Sequence, residues 1–165
     1  MIFVTVGTHE QQFNRLVGYM DYLVKKSVIT EEVFMQIGYC THLPLYCKWN
    51  KLLPYKEMIG NMNRARIVVT HGGPASFIMA LQSGKIPIVV PRQAEFGEHV
   101  NNHQIEFVKA FKGRYGNIVP VYEIEKLEDA IKNYNMVASN ITVKIGSNNS
   151  MFNYKLGKLI DNILA

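Results

Sequence analysis

A glycine turn at residues 71–76, with the sequence HGGPAS, has the residue types and the order of an anion-binding site. It follows the apolar run 67–70 and precedes residues 77–83, whose apolar side chains recur at helical spacing. The pattern therefore predicts a strand, a tight turn and the start of a helix. Two adjacent glycines let a ligand approach the backbone closely, and Pro74 suits the first turn of a helix. The free N–H groups at that position favour an anion, and we expect a phosphate group there.

The glycine turn belongs to a longer unit that ends near residue 104. Residues 84–85 turn the chain into a second apolar run at 86–91, which predicts a second strand parallel to the first. Ligands of parallel sheets bind beyond the carboxyl ends of the strands. We therefore expect residues 71–76 and the loop 92–103 to lie at the same edge of the sheet and to contact the same ligand.

A second glycine turn follows the apolar run 1–6 and precedes a helical pattern at residues 10–26. It predicts another strand end, where Gly7 and Thr8 would add backbone and hydroxyl contacts to a phosphate. The alternative is a turn that only needs a glycine. Residues 5–8 considered alone favour this alternative.

The other apolar runs predict an α/β fold. Strands are expected at 33–38, 45–49 and 118–121, and helices at 58–62, 103–111 and 125–134. This alternation predicts an open parallel sheet with helices on both faces. Residues 136–165 are predicted to form an irregular segment and then a terminal amphipathic helix, which docks on the domain, on a partner or at a membrane surface.

Composition limits the possible functions. With 165 residues, of which 48% are hydrophobic, the chain can form one domain. The net charge of +5 suits a nucleotide, a nucleic acid or an acidic membrane surface, and nucleic acid is least favoured because no RNA-binding aromatic signature is present. No apolar run approaches the ~20 residues that span a bilayer. Cys40 and Cys47 are predicted to be reduced thiols of a cytoplasmic protein and to be packing or loop residues.

Three stretches, at residues 4–17, 65–73 and 84–92, carry a resemblance to a known family. They resemble the C-terminal domain of family 28 glycosyltransferases, and more closely the stand-alone subunits of two-component enzymes of capsule and exopolysaccharide synthesis, such as streptococcal β-1,4-galactosyltransferases. The chain is also similar to the small cytosolic subunit of the eukaryotic dolichol-linked N-acetylglucosaminyltransferase. The resemblance covers residues 1–135 and implies a Rossmann-like, UDP-sugar-binding domain, equivalent to the C-terminal half of a GT-B glycosyltransferase. The acceptor-binding half would be a separate, membrane-anchored subunit.

The resemblance also implies a set of donor contacts. The two glycine turns face the diphosphate, the segment 53–55 lies near the uracil, and the region of residues 103–104 reaches the sugar hydroxyls. His71 and Arg92 are expected to add positive charge that stabilises the UDP leaving group without a metal or another cofactor. The expected contacts are Gly7, Thr8, Pro54, Tyr55, His71, Gly72, Gly73, Ser76, Arg92, His103 and Gln104.

A catalytic base is not assigned, because the resemblance places it in the partner half. The candidates in this chain are Glu98, His99 and His9. The alternative for His9 is a solvated first helical turn, and the alternative for His71 is a bond to the backbone at the helix start. His99 and His103 have the spacing of a metal pair on a helix, but the sequence shows no third ligand. Met79 stands where related transferases place the acidic residue that holds the ribose.

The resulting hypothesis is an inverting transferase subunit that moves galactose or another hexose from a UDP-sugar to an undecaprenyl-pyrophosphate-linked saccharide. It would act at the cytoplasmic face of the plasma membrane, bound there through its partner subunit. The alternative is a subunit that binds a nucleotide-sugar or regulates the complex without turnover of its own. A dehydrogenase is disfavoured, because residues 4–8 lack the later glycines of a dinucleotide fingerprint.

Overall fold

The computed structural model describes residues 1–141, which form one parallel sheet flanked by helices. The six strands lie in the order β3-β2-β1-β4-β5-β6, and every pair is parallel. The strands are β1 Ile2–Thr5, β2 Val33–Gln36, β3 Lys48–Asn50, β4 Ile67–His71, β5 Ile88–Val90 and β6 Val119–Pro120. The helices are α1 Asn14–Lys25, α2 Tyr55–Arg64, α3 Pro74–Gln82, α4 His103–Tyr115, α5 Lys126–Lys132 and α6 Tyr134–Ser139.

Alternate residues of the central strands pack against helices on opposite faces of the sheet. On one face, Ile2 and Val4 contact a core built from α1, α5 and α6. On the other face, Phe3 and Val68 pack against α2 and α3, and Val89 packs with α3 and α4. A strand that is buried on both faces must be apolar throughout, which explains the continuous apolar runs in the sequence. The predicted Rossmann-like sheet with helices on both faces is confirmed.

The carboxyl ends of the three neighbouring strands β2, β1 and β4 stop at the same level. Thr5 at the end of β1 is in register with Gln36 on one side and with Thr70 on the other. All three side chains are polar and buried. The chain leaves each of these strands at this edge, so the turns that follow β1 and β4 lie next to one another, as the sequence predicts.

Several boundaries differ from the sequence predictions. The third strand is short and lies at Lys48–Asn50, after a loop that Pro44 interrupts, and the first helix begins only at Asn14. The helix expected over 125–134 is divided at Asn133, which ends α5 and begins α6. The predicted terminal helix at 151–164 lies outside the described residues. Cys40 and Cys47 are free and belong to the core on the α1 face, which confirms their role in packing.

Candidate functional site

A cleft of about 560 Å³ opens at the carboxyl ends of the central strands. Its walls are the turn after β1, the start of α3 and the start of α2. The sequence-predicted residues Gly7, Thr8, Tyr55, His71, Gly73 and Ser76 all line it. The remaining lining residues are Thr5, His9, Gln36, Leu53, Met58, Pro74, Ala75 and Met79. The structure therefore brings together the parts of the site that the sequence places far apart.

The start of α3 offers few free donors to a ligand. The Gly73 N–H already donates to His71 Nδ1, at 2.9 Å, and Pro74 has no N–H group. The Ser76 N–H donates to the Gly73 carbonyl, at 3.2 Å. Ala75 lies in the first helical turn, where amides have no intrahelical acceptor, and it is exposed at the cleft. The donors left for an anion here are therefore the Ala75 N–H and the Ser76 hydroxyl.

The His71 imidazole orients the Ser76 hydroxyl. Because Nδ1 accepts a hydrogen bond from Gly73, the proton of the neutral ring is on Nε2, which lies 3.0 Å from Ser76 Oγ. Nε2 donates to that oxygen, so the hydroxyl proton of Ser76 is free to donate into the cleft. His71 thus bonds the backbone at the start of α3, and this confirms the alternative given in the sequence analysis.

His71 is neutral at physiological pH. Burial of the ring, together with the nearby Arg92 guanidinium, lowers the pKa of His71 to about 3. This shift and the hydrogen bond from Gly73 argue against the expectation that His71 brings positive charge to the diphosphate. A protonated Nδ1 could not accept the Gly73 N–H, so the hydrogen-bond arrangement requires the neutral ring.

This pKa predicts how stability depends on pH. Between about pH 6.5 and pH 3 an unfolded chain protonates His71 and the folded chain does not, so the unfolded state binds more protons. The contribution of His71 to stability is therefore complete above pH 6.5 and falls with decreasing pH, by up to about 1.4 kcal/mol per pH unit. We expect His71→Asn, whose side-chain oxygen can replace Nδ1, to unfold in urea with a shallower loss of stability between pH 7 and pH 5. Identical slopes for both proteins would contradict the assignment.

Two glycines make room for the His71 ring. A Cβ atom built on Gly7 would lie 2.4 Å from Nε2, and one built on Gly73 would lie 2.1 Å from Cε1. Gly7 also has a φ of +76°, which side chains other than glycine rarely adopt. The sequence analysis attributes both glycines to the approach of a ligand. The structure shows that they also enclose the imidazole that organises the start of α3.

The other end of the cleft is apolar. Leu53, Met58 and Met79 line it, and Tyr55 at the start of α2 is 71% exposed. Pro54 precedes α2 as its N-cap residue and lies beside the cleft without lining it. Exposed aromatic and apolar side chains of this kind suit the flat face of a base.

The floor of the cleft carries two polar residues, Thr5 and Gln36, of which the sequence analysis missed Gln36. Gln36 Nε2 donates to the Gly7 carbonyl, at 3.3 Å, and its Oε1 is buried without a hydrogen-bond partner in the described part of the chain. Oε1 is thus a buried acceptor that no described residue satisfies. Each of the two is the polar residue that ends an otherwise apolar strand, and this position is the signal in the sequence that points to it.

Arg92 holds the loops around the cleft and does not line it. The residue is fully buried, and its guanidinium donates to the carbonyls of Val6, at 2.9 Å, and Glu98, at 3.1 Å. It also donates to the carbonyls of Gln11 and Gln12, each at 2.9 Å. Nη1 and Nη2 face these carbonyls and Nε is buried without a partner among the described residues, so we do not include Arg92 among the direct contacts of the donor. It positions the turn that follows β1.

Glu98 is likewise a structural group. Its carboxylate accepts two hydrogen bonds from Arg15, each of 2.9 Å, and a third from the Gln93 N–H, at 2.9 Å. The side chain is fully buried. A carboxylate that is enclosed and paired in this way does not reach the cleft, which argues against Glu98 as a general base. The sequence analysis missed the Arg15 partner, which lies 83 positions away.

Three imidazoles are successive neighbours between the cleft and the start of α4. The ring centroids of His9 and His99 are 4.9 Å apart, and those of His99 and His103 are 4.4 Å apart. Burial and the neighbouring imidazoles lower the pKa of His99. Of the three, only His9 lines the cleft. Within residues 1–141, no three His, Cys, Asp or Glu side chains are grouped so that they could hold a metal ion.

Gln104 and Gly72 lie behind the cleft. Gln104 is buried, and its Oε1 accepts a hydrogen bond from the Arg92 N–H, at 3.1 Å. A Cβ atom on Gly72 would approach Gln104 to 3.1 Å, so this glycine allows α4 and the turn to pack closely. In this structure neither residue lines the cleft.

A family model for the glycosyltransferase family 28 C-terminal domain matches residues 1–159. The chain belongs to this family. The glycotransferase of kitacinnamycin has a similar fold, with a TM-score of 0.53 at 18% identity over 85% of this chain and 36% of that one. SnogD from Streptomyces nogalater is 15% identical over 85% of this chain and 39% of that one, with a TM-score of 0.44. A designed Rossmann 2x3 protein is 8% identical over 88% of this chain and 97% of that one, with a TM-score of 0.46. Among curated proteins, none matches this chain.

The family assignment confirms the resemblance to the C-terminal domain of family 28 glycosyltransferases, and the fold corresponds to the C-terminal half of a GT-B glycosyltransferase. The chain spans less than two fifths of the length of the kitacinnamycin glycotransferase. Within residues 1–141, no helix has the length and apolar composition needed to cross a bilayer.

Proposed function

We propose that this family 28 domain is the donor-binding subunit of an inverting glycosyltransferase. It binds UDP-galactose, or a similar UDP-hexose, in the cleft described above. It presents the sugar to an undecaprenyl-pyrophosphate-linked saccharide that is held by a membrane-anchored partner subunit at the cytoplasmic face. The transfer would serve capsular or exopolysaccharide synthesis. The observation that carries the proposal is the convergence of Gly7, Tyr55 and Ser76 on one cleft at the start of α3.

In this proposal the diphosphate of the donor lies at the start of α3. The Ala75 N–H and the Ser76 hydroxyl donate to its oxygens, and the positive end of the helix dipole faces them. The acceptor hydroxyl attacks the anomeric carbon from the face opposite the diphosphate, so the configuration inverts. The negative charge that develops on UDP as the glycosidic bond breaks is stabilised by these donors. The uracil lies against Tyr55 and Leu53 at the apolar end.

The residues that line the cleft support the proposal that the partner subunit supplies the general base. None of the described residues that line it is Asp or Glu, and Glu98 is bound to Arg15. His9 is the one lining side chain of the three catalytic candidates. The ribose also has no carboxylate partner here, because Met79 lies in the wall.

We expect Ser76→Ala to bind UDP roughly ten- to a hundredfold more weakly than the unchanged chain, because a hydrogen bond to a charged group contributes roughly 1.5–3 kcal/mol. Isothermal titration calorimetry with UDP measures the change. Ser83→Ala is the matched control, since Ser83 ends the same helix away from the cleft. Equal affinities for the two variants would argue against a phosphate at the start of α3.

Activity is tested with the chain and its membrane subunit reconstituted together. A screen of UDP-hexoses against a lipid-linked glucose acceptor should give transfer from UDP-galactose, and the chain alone should bind UDP with little turnover. Binding of UDP without transfer in the reconstituted pair would favour the non-catalytic, nucleotide-sugar-binding alternative. Absence of UDP binding would exclude both.

A further inference from the structure

The loop between β2 and β3 exposes a concentration of large apolar side chains. Leu45 is 85% exposed, the other exposed members of the loop are Tyr39, Leu43 and Tyr46, and the exposed Leu52 follows β3. Tyr39, Leu43 and Leu52 line a groove of about 490 Å³ together with the half-buried Trp49. We call these residues, together with Lys25 and Lys51, the β2–β3 surface. Clustered exposed apolar side chains of this kind mark an interaction site.

One buried polar side chain of α1, Asp21, holds this loop in place. The carboxylate of Asp21 accepts hydrogen bonds from the N–H groups of Leu45, at 3.0 Å, and Tyr46, at 2.7 Å. It also accepts one from the Cys47 N–H, at 3.1 Å. Trp49 Nε1 donates to the carbonyl of Pro44, at 3.1 Å. These bonds hold the backbone of the loop while its apolar side chains remain exposed. The packing of the domain itself does not require this exposure.

The charge around these side chains is positive. Residues 33–56 contain three lysines and no Asp or Glu. Lys51 lines the groove, and the Lys25 ammonium lies 5.7 Å from the centre of the Tyr46 ring. Asp21 is buried and Glu32 is paired with Lys48, whereas the exposed Glu57 directly follows Lys56. Apolar side chains with surrounding lysines suit the interface of an anionic membrane, whereas the cores of protein interfaces are poor in lysine.

From these observations we propose that the β2–β3 surface docks the chain directly on an anionic membrane. Leu43, Leu45 and Tyr46 enter the boundary between headgroups and acyl chains, and the lysines contact lipid phosphates. The same segment continues into Leu53 and Tyr55 of the cleft, so docking brings the cleft to the membrane surface. This contact is separate from the anchoring by a partner subunit and does not depend on the identity of the donor.

The single tryptophan makes this docking measurable, because Trp49 lies in the groove of the β2–β3 surface. The full chain is mixed with phosphatidylcholine vesicles with or without phosphatidylglycerol, made with brominated acyl chains that quench tryptophan at short range. We expect sedimentation with the anionic vesicles, quenching of Trp49 and weakening of both by salt. Vesicles of phosphatidylcholine alone should bind much less.

A pair of variants separates this surface from the rest of the chain. Leu45→Asp adds a charge at the most exposed leucine of the loop, and Met136→Asp adds the same charge at a side chain that is 62% exposed on α6. We expect Leu45→Asp to weaken vesicle binding by roughly tenfold or more, and Met136→Asp to bind within about twofold of the parent. Circular dichroism confirms that both are folded. Failure of the parent to bind anionic vesicles, or equal binding by the two variants, would overturn the proposal.

Discussion

Replacing Gly73 by alanine is expected to weaken the binding of UDP by roughly ten- to a hundredfold. The new Cβ atom would lie 2.1 Å from Cε1 of His71, so the imidazole must leave its position between Gly7 and Gly73. The ring would then lose its bonds to the Gly73 N–H and to Ser76 Oγ. The hydroxyl that we assign to the diphosphate would no longer be oriented. Calorimetric titration with UDP measures the loss.

Two controls separate this effect from a general cost of alanine. Gly60→Ala lies in α2 with no atom within 4 Å of its new Cβ, and we expect it to leave UDP affinity unchanged. In a His71→Ala background the obstruction is removed, so adding Gly73→Ala should change affinity little. The double-mutant cycle then reports the coupling of the two positions. A Gly73→Ala chain with parental affinity would contradict the role of the imidazole.

Arg92→Met is expected to lower the free energy of unfolding by about 3–5 kcal/mol. The substitution keeps an apolar stem of similar length and removes donors from the carbonyls of Val6, Gln11, Gln12 and Glu98. The Val6 and Glu98 carbonyls would stay buried without these donors, and the Gln11 and Gln12 carbonyls would lose theirs in a partly buried setting. Because a domain of this size has only about 5–15 kcal/mol of stability, the loss should be plain in urea unfolding.

The charge of Arg92 alone does not account for this effect. We expect Arg92→Lys to be destabilised nearly as much, since one ammonium cannot reach all the carbonyls that a planar guanidinium reaches. Arg114→Ala removes an exposed arginine at the end of α4 and should change stability by less than about 0.5 kcal/mol. A lysine variant with parental stability would mean that the four carbonyl bonds contribute little.

The outline of the site could be predicted from local sequence. Gly7 and residues 71–76 each follow a buried strand, and the carboxyl ends of adjacent parallel strands meet at one edge of the sheet. This geometric rule suffices to bring the two turns together on the cleft. It also explains why Tyr55 is found there, because α2 starts at the same edge.

The roles of the charged residues could not be predicted in this way. Arg92 and Glu98 look like site residues because they lie in the loop beyond a strand end. Their function depends on partners that are distant in the sequence, such as Arg15 for Glu98 and the Val6 carbonyl for Arg92. The neutral state of His71 depends on the enclosure of its ring, which no local pattern records.

The most direct test is a crystal structure of the chain with UDP. The account predicts a phosphate oxygen within hydrogen-bond distance of the Ala75 N–H and of Ser76 Oγ, with His71 still between Gly7 and Gly73 and the uracil against Tyr55. UDP bound at another surface, with the start of α3 empty, would contradict it.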